Sequence, residues 1–146
     1  EPAAEPSNED TGEPSEEPMQ NCTASDLIWS VEIHDSNGAG QTFTNDASLS
    51  IVGVFSNPCD TMLSFTSAST CLIGSALVHG NSGSAQSSFL HEPLCGMAMT
   101  NWDVPPMDSV NEVVPMGTRP VDFYTVDLHF GDTGVHYAYT TFEVVE

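Results

Sequence analysis

The 146-residue chain has no lysine, a single arginine (Arg119) and 21 acidic residues, for a formal net charge of -20. Gripping a phosphate backbone or an anionic lipid surface takes several Lys or Arg, so this composition excludes nucleic acid and anionic membranes as partners. The length suits one domain around one core, and no apolar run approaches the roughly 18 residues that a membrane-spanning helix needs.

The chain opens at Glu1 without a methionine, as expected of a mature exported product whose targeting segment has been removed, which would put it outside the cell or on its surface. Residues 1–20, EPAAEPSNEDTGEPSEEPMQ, hold seven acidic residues and four prolines with almost no large apolar group. Such a segment cannot offset its own ordering entropy, and its like charges and prolines keep it extended. It is expected to act as a tether, or as an assembly arm held by a neighbouring subunit. Prolines at 2, 6, 14 and 18 argue against a long donated strand. Asn21-Cys22-Thr23 fits an N-glycosylation sequon at Asn21, and Ser7, Thr11 and Ser15 in the tail are hydroxyls that could carry O-linked sugars.

From residue 21 to 146 the texture changes to short apolar or alternating runs separated by Gly, Asn, Asp, Ser and Pro. Leu27, Trp29, Val31 and Ile33 alternate with Ser30, Glu32 and His34, and DSNGAG follows as a turn. Further runs are SLSIVGVF, MLSF, CLIGSALVH, SSFL, NEVVP, DFYTVDLHF and VHYAYTTFEVV. An apolar 3.6-residue period never persists for three turns, so no substantial helix is expected. Seven to eight short strands with turns between them predict an all-β, immunoglobulin-like antiparallel sandwich. With GDTG (131–134) as the last hairpin loop, Phe130 faces Val135, Leu128 faces Tyr137 and Val126 faces Tyr139. His129 and His136 then lie across from each other on the opposite face, beside Asp127.

Cys22, Cys59, Cys71 and Cys95 are an even set without the paired CxxC of structural zinc sites, which favours two disulfides over four buried thiols. Three connectivities are open. Cys22 with Cys59 and Cys71 with Cys95 is preferred, as a pairing that joins neighbouring strands.

A strand ending in SNPCD, a VPPMDS segment before NEVVP, and a closing GVHYAYTTFEV strand together resemble BsuPI-type proteinase-inhibitor domains over about residues 50 to 146. The resemblance implies a sandwich fold and a loop presented to a protease. It carries over no inhibitory residue, and Cys59, Cys71 and Cys95 stand outside its pattern.

Asp127, His129 and His136 have the composition of a two-histidine, one-carboxylate zinc or copper site, set against the alternative of an ordinary solvated sheet face. His91, Cys95, Met97, Met99 and Met107 are soft groups that would suit copper if they converged, although Met97 and Met99 at one strand face more often fill a core or interface. Asp35, Asn37, Asp103, Asp108 and Asp132 are oxygen donors in expected loops, without EF-hand spacing for calcium. The sequence has no GxSxG elbow, phosphate loop or dinucleotide fingerprint, and no catalytic residue or cofactor is expected. The expectation is an exported, non-catalytic sandwich that serves as a structural or interaction component of a cell surface or extracellular assembly. Its partner would be another protein or copies of itself, with a divalent cation as a further ligand. The alternatives are a proteinase inhibitor and a metal-binding module for copper, zinc or calcium.

Overall fold

Alternating side chains become strands wherever one face can be buried, and Gly, Pro and Asn end them. The computed structural model describes residues 17–18, 20–82, 87–89, 95–131 and 137–146. Among these, a 3-10 turn at Ala24–Asp26 precedes eleven strands: β1 (Ile28–Asp35), β2 (Gly38–Gly40), β3 (Thr42–Thr44), β4 (Leu49–Ser56), β5 (Leu63–Ser67), β6 (Ile73–Gly80), β7 (Ser87–Phe89), β8 (Thr100–Val104), β9 (Ser109–Gly117), β10 (Asp122–Phe130) and β11 (Tyr137–Val145). The fold is all-β, as expected, with more strands than the seven or eight expected. The additional ones are β2, β3 and β8, short pieces that carry too few apolar side chains to register as alternation.

The strands form sheets ordered β2-β1-β4-β9 and β3-β11-β10-β6-β7, with β5 and β8 as a separate pair. Pairing is antiparallel except where β3 lies parallel to β11. An order of β1-β4-β9 in one layer and β11-β10-β6-β7 in the other is that of an immunoglobulin-type sandwich. A second mark of that architecture is Tyr124, near the start of β10, whose hydroxyl donates to the Pro120 carbonyl at 2.7 Å. This tyrosine corner ties the β10 strand to the connection that leads into it. Burial pushes the Tyr124 hydroxyl above its usual pKa, and the nearby Asp122 charge adds to the shift. The stabilisation is therefore complete below the unfolded tyrosine range near pH 10 and is lost as pH rises through the raised folded value. Tyr124→Phe is expected to cost about 1 kcal/mol in urea unfolding at pH 7 and to flatten the alkaline loss of stability. An unchanged alkaline limb would contradict this.

Inward residues of the two layers meet in one core, which includes Val31, Ile33, Ile51, Phe55, Ile73, Val78, Tyr124, Val126, Leu128, Phe142 and Val144. Gly53 sits inside it, in the middle of β4. A Cβ there would lie 3.0 Å from Leu128 and 3.1 Å from Ile73, both in the facing layer. The missing side chain is what lets the sheets approach. Gly53→Ala is expected to destabilise by about 1–3 kcal/mol through overpacking, measurable as a lower denaturation midpoint at constant slope. On the neighbouring strand Glu112, paired with Gly53, reaches across the sandwich. Its two carboxylate oxygens accept the backbone N–H of Leu72 at 2.8 Å and of Ile73 at 3.1 Å, satisfying donors at the start of β6.

At the end of the sandwich where β1 begins, Leu27, Cys59, Leu63 and Val104 make a second, smaller cluster. Trp29 and Phe65 border both clusters, and the Trp29 ring packs on Phe55 and Phe130 with centroids 4.3 and 4.8 Å apart. The Cys22–Cys59 and Cys71–Cys95 disulfides both form, as preferred from the sequence. The reason given there holds for the first pair only. Cys22 and Cys59 flank the neighbouring strands β1 and β4, whereas Cys71 precedes β6 and Cys95 precedes β8, which do not pair. Beside the first disulfide, buried Asn57 donates from Nδ2 to the carbonyls of Thr61 (2.8 Å), Val104 (2.8 Å) and Pro105 (3.1 Å), and its Oδ1 accepts Cys59 N–H at 2.8 Å. One side chain thereby fastens the β4–β5 turn to the end of β8.

Candidate binding face

Each layer turns one face outward, and the two outer faces differ in chemistry. On β1, β4 and β9 the outward set includes Ser30, Glu32, His34, Ser50, Val54, Asn111, Val113 and Pro115, with His34 bonded to Glu32 at 2.8 Å. On β6, β10 and β11 it includes Leu77 and His79, then Phe123, Thr125, Asp127 and His129, then Tyr137, Tyr139, Thr141 and Glu143. Phe123, Tyr137 and Tyr139 are 47%, 62% and 67% exposed.

Strand register arranges this second face in rows. Phe123 lies opposite Glu143, Thr125 opposite Thr141, Asp127 opposite Tyr139, and His129 opposite Tyr137. The rows continue onto β6, with Thr125 beside His79, Asp127 beside Leu77 and His129 beside Ser75. The rings of His129 and Tyr137 stack at 5.9 Å. A row of directly opposed residues places side chains within reach of one another, so the face presents three aromatic rings, two carboxylates and two imidazoles side by side.

This register corrects the one expected from the sequence. Leu128 faces Ala138 and Val126 faces Thr140, one residue away from the expected pairing. A slip of one turns a whole strand over, so Tyr137 and Tyr139 point to solvent while Ala138, Phe142 and Val144 turn inward. The residue opposite His129 is Tyr137, and not His136. Of the proposed metal set, Asp127 and His129 share the outer face two positions apart on β10, and His136 lies outside the described residues. No group of three metal-ligating side chains occurs among the described residues.

Of the soft-ligand set, the one described thiol is not available as a ligand. Cys95 is bonded to Cys71, and His91 lies outside the described residues. Met97 and Met99, expected to fill a core or an interface, fill no core: they are 88% and 66% exposed, because the segment after Cys95 runs over the surface before β8 begins. Met107 sits in the turn before β9 with a left-handed φ of 56°. The described oxygen donors take separate local partners. Asp35 accepts the Asn37 N–H, Asp103 accepts the Ser64 hydroxyl, and Asp108 accepts the Ser109 N–H. Asp35 and Asp108 stand at opposite ends of the β1-β4-β9 layer, and Asp132 lies outside the described residues. Asn21 of the sequon is exposed, with φ 59°. The tail up to residue 16 lies outside the described residues.

The exposed aromatic face is hidden in the sequence because apolar patterning assigns tyrosine to the core. The available signal was the YAYTTF pattern. Ala138 fits a crowded interior, whereas a tyrosine carries a polar tip that tolerates water. No family model matches the chain, and the search of curated proteins finds no match.

Proposed function

We propose that this chain is an exported, non-catalytic interaction domain that meets a protein partner through the outer face of β6, β10 and β11. The observation that carries this reading is the display of Phe123, Tyr137 and Tyr139 on one sheet face. Tyrosine and phenylalanine are the side chains that protein interfaces enrich, since each supplies a large rigid area at small entropic cost. The opposite layer offers no such set among its described outward residues. Two disulfides are compatible with an extracellular protein, which supports the exported part of this reading. The test is tyrosine labelling by a mild electrophile, read by mass spectrometry. Tyr137 and Tyr139 should label fully in the purified chain and be protected in the producing cell's native surface fraction. Equal labelling in both settings would contradict the reading.

A further inference from the structure

The binding face pairs each of its carboxylates with an aromatic ring. Asp127 stands opposite Tyr139, and Glu143 stands opposite Phe123. Tyr139 is largely exposed and Phe123 about half exposed, so neither is used up in the core. A ring beside a carboxylate is the environment that a guanidinium occupies best. The cation lies on the ring face while its N–H groups bond the carboxylate.

The two pairs recur at a fixed distance. Phe123 and Asp127 are four residues apart on β10, as are Tyr139 and Glu143 on β11, so the pairs are separated by about 13 Å along the sheet. The row between them is Thr125 and Thr141, which can take a small side chain. An extended chain laid along the strands advances at the same rise per residue. Arginines at its positions i and i+4 would then reach both pairs together.

Charge decides against the other occupant, a second copy of this chain. Two copies of the face would bring Asp127 and Glu143 against their own kind, and each chain has a net charge of -20 with Arg119 as its sole Lys or Arg. Arg119 lies on the connection before β10 and not on this face. Like charges opposed at an interface cost affinity, whereas a cationic partner is drawn in.

We infer that the outer face of β6, β10 and β11 docks an extended, arginine-bearing segment of a basic protein, with the Asp127–Tyr139 and Glu143–Phe123 pairs as two guanidinium sites. This rests on the reading of that face as the binding face.

The experiment titrates the full chain, at physiological salt, with a nine-residue Thr/Val peptide carrying arginines at positions 3 and 7, and follows backbone amide shifts. Its companions carry lysine or neutral citrulline at the same places. Shifts should cluster on β6, β10 and β11, and Tyr139→Ala and Phe123→Ala, which leave net charge unchanged, should each weaken binding about tenfold. Asp127→Asn should weaken it more than Asp60→Asn, which removes the same charge from an exposed loop away from this face. The lysine peptide should bind less well and the citrulline peptide not at all. Since these side chains are on the surface, retained amide dispersion will show that each variant is folded. The inference is overturned if shifts spread over the acidic surface and Tyr139→Ala binds like the parent, which would be charge attraction alone. It is also overturned if citrulline substitutes for arginine. Either result leaves the tyrosine-protection test of the binding face standing, so the two failures are distinguishable.

Discussion

Reduction of the two disulfides is expected to lower the melting temperature by about 20 °C or more, and to leave the chain largely unfolded at 37 °C. The Cys22–Cys59 bond closes a loop with a sequence separation of 37, and Cys71–Cys95 one of 24. In the chain-entropy account these are worth about 4 and about 3.5 kcal/mol. Together they rival the whole stability of a domain of this size, about 5–15 kcal/mol. The first bond also sits inside the small cluster with Leu27, Leu63 and Val104, so its loss loosens packing as well as the unfolded chain. Calorimetry with and without reductant, beside a Cys22→Ala/Cys59→Ala variant, checks this. A reduced protein that melts within a few degrees of the oxidised one would show that the sandwich stands without its cross-links.

The second large effect is expected at Asn57. Its Nδ2 group donates to the Thr61, Val104 and Pro105 carbonyls, and its Oδ1 accepts Cys59 N–H, in a buried setting. Asn57→Ala removes these partners at once and should cost about 3 kcal/mol. Asn57→Asp is nearly isosteric yet should be worse at neutral pH. A carboxylate oxygen would then confront three carbonyl oxygens with no proton to offer. That variant's folded state favours the protonated acid, so its defect should deepen as pH rises through the carboxylate range and shrink below it. Urea unfolding from pH 3.5 to 7.5 measures the crossover. Equal stability of the Asp and Asn forms at pH 7 would mean that the donated hydrogen bonds contribute little.

The roles of the four cysteines and of Asn57 differ in how visible they are in the sequence. The cysteines announce themselves by even number and spacing. Asn57 reads only as a turn residue, because nothing in SNPCD reveals that the turn folds back against the end of a strand some 47 residues later. Strand patterning was legible wherever bulky residues alternate over a long run, as in β4 and β10. It was illegible in β2, whose Gly-Ala-Gly has nothing to alternate, and in β8, where Trp102 stands among polar neighbours and its indole N–H is bonded to the Ser67 hydroxyl. Tyr124 likewise reads as one more apolar strand residue. Its corner role depends on Pro120 lying four residues upstream, with its carbonyl turned toward the hydroxyl.

The site was less legible than the fold for one physical reason. Apolar weighting treats a tyrosine like a phenylalanine and therefore sends Tyr137 and Tyr139 inward, which displaces the β10–β11 register by one residue. The same displacement puts His136 opposite His129 in the expected register, where the structure has Tyr137, and it conceals the aromatic surface. Register in a hairpin is fixed by the whole facing set. Here Ala138, Phe142 and Val144 opposite Leu128, Tyr124 and Asp122 outweigh two amphipathic rings.

The most direct test of the aromatic face as the functional surface is site-specific photocrosslinking in the producing cell, with a benzophenone amino acid placed at position 139 or, as control, at position 113 on the opposite layer. The binding-face account predicts a discrete higher-mass adduct from position 139 and none from position 113, both positions being exposed in the free domain. No adduct at 139, or the same adducts from both positions, would contradict it.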